Sequence, residues 1–342
     1  MATTMMEMPK MDYVDQNAEN VQRVAVMTEP FRMELRWAQI PVPAPDEVLV
    51  KVKYVGICGS DMEAYRGTRE PEFISIPARL GHEVAGTIAA VGSQVQGIRV
   101  GTRVTCRYVW GAFAEYITCK PMNVHAVPDN LPSICSSLTE ILPCVFHACE
   151  LGQIDSTKNV LIMGQGVSGQ MLTQAVRLFG PRNLAVTDLD ARKLEMAKKH
   201  GATHTYQMPS ADARTMDIVG KDFPEGFDVV IPALLQGDGI VDAIDCARMC
   251  GKIVMYGCIG KCSKTIDFFK VHRKRLEIIS TEPRRDIDNR RLLSMGVKYA
   301  AEGLINTHDI IDHIVPLTDI QRAFDLRSDG SNIHVLVDCE LN

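Results

Sequence analysis

The sequence predicts an α/β protein in which a parallel-sheet domain interrupts a mostly β module. Three observations predict it. Short apolar runs broken by proline and glycine fill roughly 21–130, the texture of antiparallel strands and turns. From Asn159 to about 282, apolar strands alternate with helical segments, the order that builds a parallel sheet covered by helices. The tail, 290–342, abandons that alternation and is expected to return to the first module.

In the first module VQRVAVM, MELRWAQI and EVLVKVKYVGI read as strands. Between the last two, IPVPAPDE cannot be helix, because positions 41, 43 and 45 are proline. HEVAGTIAAVG, VGTRVTCRY, AFAEYITCK and NVHAVP continue the pattern. Near Leu138 the texture changes: SSLTEILPCVFHACELG reads as helical on either side of Pro143. Then strand NVLIMG precedes helix VSGQMLTQAVRLFG, NLAVTDLD precedes ARKLEMAKKHG, and FDVVIPAL precedes GIVDAIDCARMCG. KIVMYG and LEIISTE, the latter at 276–282, add two strands. The tail offers helices at NRRLLSMGVKYAAEG and TDIQRAFDLRSDG and a closing strand at HVLVD.

Composition narrows the function. The 342 residues are 46% apolar, enough for ordinary cores, and carry a formal charge of −5. That mild acidity gives no electrostatic reason to expect nucleic acid or an anionic membrane as partner. No run of 18 apolar residues is read, and residues 1–20 lack the basic-then-apolar order of a secretory signal, so a cytoplasmic location is expected. The first 20 residues read as a loose extension. Eleven cysteines, an odd number in a long chain without a CxxC pair, fit buried free thiols better than a disulfide framework. Cys246 with Cys250, near the end of a helix, and Cys258 with Cys262, across Gly260, could form a zinc knuckle; this is the weaker reading.

VLIMGQGVSGQM places Gly164, Gly166 and Gly169 as G-x-G-x-x-G between a strand and a helix. The first glycine permits the tight turn, the second lets backbone approach a pyrophosphate, and the third lets helix close on sheet. Free N–H groups at the helix start, around Val167, then meet the phosphate. Asp188 ends the next strand 24 residues after Gly164, where a carboxylate accepts ribose hydroxyls. It would repel a 2′-phosphate, so NAD is expected rather than NADP. Arg192 and Lys193 complicate that preference, or simply lie on a solvated helix face.

GICGSD at 56–61 and GHE at 81–83 bring a thiol, Cys58, and an imidazole, His82, which suit zinc; Glu83 and Glu140 could complete the shell. Spacing alone leaves a buried structural cysteine and a core histidine open.

Taken together, GICGSD, GHEVAGTIAAVG, VGTRV, FAEY, Glu140 with HA at 147–148, GQGVSG, TDLD with RKLEMAKKHGA, and GKIVMYG resemble the zinc-dependent medium-chain alcohol/polyol dehydrogenases of the sorbitol dehydrogenase type. The resemblance runs from about Val24 to Asp338. It implies a Rossmann domain, 145–285, inserted into a GroES-like catalytic domain made of 21–144 and 286–342. It implies Cys58 and His82 as catalytic-zinc ligands and Glu83 as the carboxylate that binds directly in sorbitol dehydrogenase-like members. Glu140 then matches the remaining ligand position, able to reach the metal or its water. Ser60 matches the hydroxyl that bonds the substrate oxygen, and Asp61 the acid that orients His82. Tyr65 falls in the segment expected near substrate.

The chain also departs from that family. Only TCRYVWGAFAEY separates Val104 from Tyr116, so the four-cysteine lobe of a structural zinc is missing and at most one zinc per chain is expected. Glu63 stands where many relatives carry a relay histidine, and a carboxylate has a lower ordinary pKa, about 4.3. His334 replaces a fixed Arg or Lys, weakening the charge available to the pyrophosphate. FDVVIPALLQG lacks the usual Cys-Thr-Gly.

The resemblance implies reversible, NAD-dependent oxidation of a secondary alcohol, with Ser60 accepting the proton. Carboxylates at 63, 83 and 140 suggest a sugar, sugar alcohol or (amino)cyclitol. An amino alcohol related to threonine is the alternative substrate, and a zinc-free alkene or quinone reductase the alternative enzyme on this fold. A non-enzymatic NAD-binding protein leaves the zinc group and Ser60 without a purpose. A homodimer or homotetramer is expected, with a small polar alcohol or ketone as partner.

Overall fold

The computed structural model describes residues 13–68, 74–235, 237–257, 260–281 and 286–341. Residues 1–12 of the expected extension and Cys258 lie outside the described residues. The chain divides into two compact units: the first takes the chain up to Glu140, Val297–Gly303 and Thr307 onward, the second Ile141–Gly296 and Leu304–Asn306. The return to the first unit thus comes at Val297, later than the expected 286.

In the first unit β1 (Val21–Glu29) and β2 (Arg32–Gln39) form an antiparallel ribbon. β3 (Val48–Gly56), α1 (Gly59–Tyr65), β4 (Glu83–Val91), β5 (Arg103–Cys106), β6 (Tyr116–Cys119), β7 (Val124–Ala126) and the single turn α2 (Ser133–Ser136) follow.

The second unit opens with α3 (Leu142–Gly152), β8 (Asn159–Met163), α4 (Val167–Leu178), β9 (Asn183–Asp188) and α5 (Ala191–Lys199). It continues with β10 (His204–Gln207), α6 (Thr215–Val219), β11 (Phe227–Pro232), α7 (Gly239–Cys246), β12 (Ala247–Met255), α8 (Phe268–Lys274) and β13 (Glu277–Ser280). Its six strands run β10-β9-β8-β11-β12-β13, all parallel. Counted within the unit this is the order 3-2-1-4-5-6 of a Rossmann sheet, with its switch point between β8 and β11.

After α9 (Asp286–Ala301), the tail supplies β14 (Ile311–Pro316), α10 (Ile320–Ser328) and β15 (His334–Asp338). These strands complete the first unit's sheet, ordered β14-β15-β3-β4-β5-β7, with β6 also pairing β3. Phe324, Val335 and Val337 of the tail share one apolar core with Val24, Val50 and Phe113. Burial of these side chains is what draws the tail back.

Pro143 breaks nothing: it stands in the first turn of α3, where its missing N–H costs no helical bond. Residues 133–152 make a helical run long and apolar enough to cross a membrane, which the sequence reading does not anticipate. Its most apolar window, however, is 72% buried inside the protein. The helix expected over 239–251 stops at Cys246, because Ala247 onward pairs with β11 as β12. Cys250 therefore lies exposed on a strand, while Cys246 is fully buried on α7, an arrangement unsuited to one knuckle. The ten described cysteines are all free. The sequence reading omits β10, α6, α8 and β14.

Candidate active site

β3 ends at Gly56, which pairs with Glu83 on β4 and with Leu336 on β15. This register brings the start of α1, with Cys58 as its N-cap residue, against the segment that carries His82 and Glu83. Among the described residues, Cys58, His82 and Glu83 each offer a ligand atom within 4.8 Å of the other two. A thiol, an imidazole and a carboxylate at such range suit zinc.

Asp61 holds the two segments together. One of its carboxylate oxygens accepts from the Cys58 N–H and the other from the Gly81 N–H, both at 3.0 Å. Its Oδ1 also stands 3.6 Å from His82 Nδ1, which has no hydrogen-bond partner of its own. The expected orienting role thus has a geometry: Asp61 faces Nδ1 and leaves Nε2 for a metal. Ser60 Oγ lies 3.5 Å from that Nε2.

The electrostatics suit a cation. Burial opposes charge on His82, but Asp61 and Cys58 outweigh it and hold the imidazole well above its usual pKa. Burial pushes the Cys58 thiol up, and the Glu83 charge adds to that. Burial would also raise Glu83, yet His334 and His82 more than offset it and keep its carboxyl below the usual range. A bound cation would favour the thiolate and the neutral imidazole instead.

Two further residues were invisible to motif reading. Trp110 packs its ring 4.5 Å from the His82 ring. Arg107 donates to Glu140 Oε1 at 2.8 Å, so that carboxylate is ion-paired and is not part of the three-residue cluster. Burial pushes the Glu140 carboxyl up, with Arg107 pulling it back. Arg107 and Trp110 both lie in TCRYVWGAFAEY, notable in the sequence only for its shortness. His334 is corrected in place: it is fully buried, with Nε2 3.2 Å from Glu83 Oε2, an acid–imidazole pair rather than a phosphate contact.

Tyr65 is also corrected. It is 1% exposed; its one hydroxyl proton is shared between Phe31 O at 3.0 Å and Asp325 Oδ1 at 2.9 Å, Gln321 Nε2 donates to its oxygen, and its ring packs on Phe324. Burial, helped by Asp325, pushes its hydroxyl up to about 12. This is a satisfied core tyrosine. Glu63 sits half-buried on α1.

In the second unit the glycine turn is built as a dinucleotide cradle. Gly164 has φ +90, a conformation other residues rarely adopt. A Cβ on Gly169 would stand 2.0 Å from Gly164 O, so the helix can close on the strand only there without a side chain. A Cβ on Gly166 would meet nothing, leaving open space in front of the N-terminus of α4, whose first residue is Val167. Asp188 Oδ2 accepts from the Gln165 N–H at 2.6 Å, which fixes the acid beside this turn. Arg192 pairs with Asp190 at 2.7 Å on the surface, and the Lys193 carbonyl accepts from Gln170 Nε2 at 2.8 Å.

Fold and site together define a dehydrogenase class. The family model for the alcohol dehydrogenase GroES-like domain matches 44–129, and that for zinc-binding dehydrogenase matches 168–289, together more than half of the chain. The chain belongs to the zinc-type medium-chain alcohol dehydrogenases, an enzyme family using a nicotinamide cofactor. It is 27% identical to L-threonine 3-dehydrogenase of Deinococcus deserti, over 88% of this chain and 94% of that protein. It is 29% identical to sorbitol dehydrogenase of Bacillus subtilis, over 89% and 92%. Among solved structures, a putative zinc-binding dehydrogenase from Sinorhizobium meliloti bound to NADP matches with TM-score 0.83 and 25% identity, over 94% and 100%.

Proposed function

We propose that the protein is a zinc- and NAD-dependent oxidoreductase. It interconverts a secondary alcohol and its ketone in a polyol, sugar or (amino)cyclitol. The observation that carries this reading is the convergence of the half-buried Cys58 with the buried His82 and Glu83. Bound zinc would supply Lewis acidity toward the substrate oxygen, and bound nicotinamide the hydride acceptor. The chain's own residues do the rest. Asp61 fixes the Cys58 and His82 segments, so the donor set is preorganised. The Ser60 hydroxyl accepts the proton of the substrate alcohol as it gives up its own, which leaves to solvent through a water path. The buried acids Glu83 and Glu140 and the half-buried Glu63 favour a substrate with several hydroxyls over an apolar alcohol. Asp188 selects NAD by its charge. A cytoplasmic, homo-oligomeric enzyme acting on a small polar molecule, rather than on nucleic acid or membrane, fits the free thiols and mild acidity.

Relatives named L-threonine 3-dehydrogenase support an amino alcohol as a second substrate class. Metal analysis and a panel of polyols, cyclitols and threonine with NAD, followed at the nicotinamide absorbance, test both. One zinc per chain and turnover of a polyhydroxylated alcohol are expected. An active protein without zinc, or with two, would sink the zinc reading. Turnover confined to threonine would move the assignment to the amino alcohol.

A further inference from the structure

Two buried carboxylates, Glu83 and Glu140, compete for one metal position, and the geometry points to Arg107 as the residue that decides between them: it holds Glu140 off the metal and so leaves Glu83 as the third protein ligand. The inference rests on the zinc reading above.

Arg107 is anchored before it touches Glu140. Its N–H donates to Asn123 O at 2.8 Å, and Asn123 Nδ2 donates back to Arg107 O at 3.0 Å. Its Nη2 donates to the Tyr108 hydroxyl at 3.2 Å, and the guanidinium lies over the Tyr108 ring, 4.4 Å from the centroid. From that fixed position Nη1 donates both to Glu140 Oε1 at 2.8 Å and to Glu140 O at 2.6 Å. One nitrogen therefore grips side chain and backbone of the same residue, in the 3-10 turn Ser137–Ile141. The side chains are 6% and 10% exposed.

Moving Glu140 onto a metal would break its 2.8 Å ion pair with a buried guanidinium, and breaking a buried pair is strongly unfavourable. Glu83 needs no such displacement: it already lies within the Cys58 and His82 cluster while Oε2 faces the buried His334 imidazole at 3.2 Å. Arg107 is thus a positioning residue, acting on the metal shell through Glu140.

The test uses the full-length protein loaded with zinc or, as a spectroscopic stand-in, cobalt(II), with circular dichroism to confirm folding. Glu83→Gln should weaken zinc binding by more than ten-fold, while Glu140→Gln keeps one zinc per chain and an unchanged cobalt spectrum, the roughly 10–100-fold range bounding what an outer partner can cost. Arg107→Met should free Glu140 and alter the cobalt ligand-field bands, and Arg107→Lys should restore them. In Glu83→Gln, adding Arg107→Met should recover part of the lost zinc affinity through the released Glu140. Should Arg107→Met fail to fold, Arg107→Gln removes the same charge at smaller loss of volume. Zinc lost from Glu140→Gln but kept by Glu83→Gln overturns the assignment, as does a cobalt spectrum indifferent to Arg107. Failure of the wild-type protein to bind either metal overturns instead the zinc reading on which the inference stands.

Discussion

Gly56 has no side chain where Glu83 and His334 meet. A Cβ there would stand 2.0 Å from Glu83 Oε2 and 2.6 Å from His334 Nε2, both side chains fully buried. Neither can move into solvent, so even one methyl must displace the carboxylate. Gly56→Ala is expected to lower stability by about 1–3 kcal/mol, the usual cost of overpacking, and to reduce zinc content together with it. Thermal melting and metal analysis of the same preparation check this; a variant normal in both would mean that the pair is loosely held. Asp188 supports a second residue-scale prediction. Asp188→Ala removes both a ribose contact and a negative charge, so the ratio of kcat/KM for NAD over NADP should fall, with loss on the NAD side. Tighter NADP binding by the unmodified protein, measured by calorimetry, would show that this carboxylate does not set the preference.

At the scale of elements, the turn from β8 into α4 separates two roles of glycine. Gly169 is required by the fold, since a Cβ would meet Gly164 O at 2.0 Å. Gly166 is required only by what approaches it, since a Cβ there meets nothing. Gly166→Val should therefore melt near the parent temperature yet bind NAD at least ten-fold more weakly. Gly169→Ala should melt lower even without cofactor. Equal melting losses in both would refute the distinction. The turn was legible in the sequence because its glycines, strand and helix lie within one short stretch. Cys58, His82 and Glu83 were legible because two short motifs carry them. The grip of Arg107 on Glu140 was not, for it joins residues 33 positions apart through packing alone. The same holds for His334, brought beside Glu83 by the pairing of β15 with β3 and of β3 with β4. Tyr65 was misplaced because α1 turns that residue into the core, where Phe324 of the returning tail covers it. Helix-like ARMCG became strand because β11 offers it backbone partners, a tertiary preference that local periodicity does not record.

For the whole molecule, the two candidate binding centres belong to different units: Cys58, His82 and Glu83 to the first, and the Gly164–Asp188 turn to the second. A ligand that binds only the folded form stabilises what it touches by mass action, by about 2.7 kcal/mol at a free concentration one hundred times its Kd. Metal and cofactor should then leave separate footprints. Hydrogen exchange read peptide by peptide is the direct measurement, because amide protection reports local opening. Removing metal with a chelator should lower protection around 56–62 and 80–86 while 160–190 stays unchanged. Adding NAD to the chelated protein should raise protection at 160–190 without restoring the first two segments. Gly81 and Cys58 donate backbone N–H groups to Asp61, so these amides report directly on the framework behind His82. If chelation loosens 160–190 as strongly as the segments around Cys58 and His82, the units do not respond independently. The metal would then have to act on the dinucleotide turn through the protein as a whole.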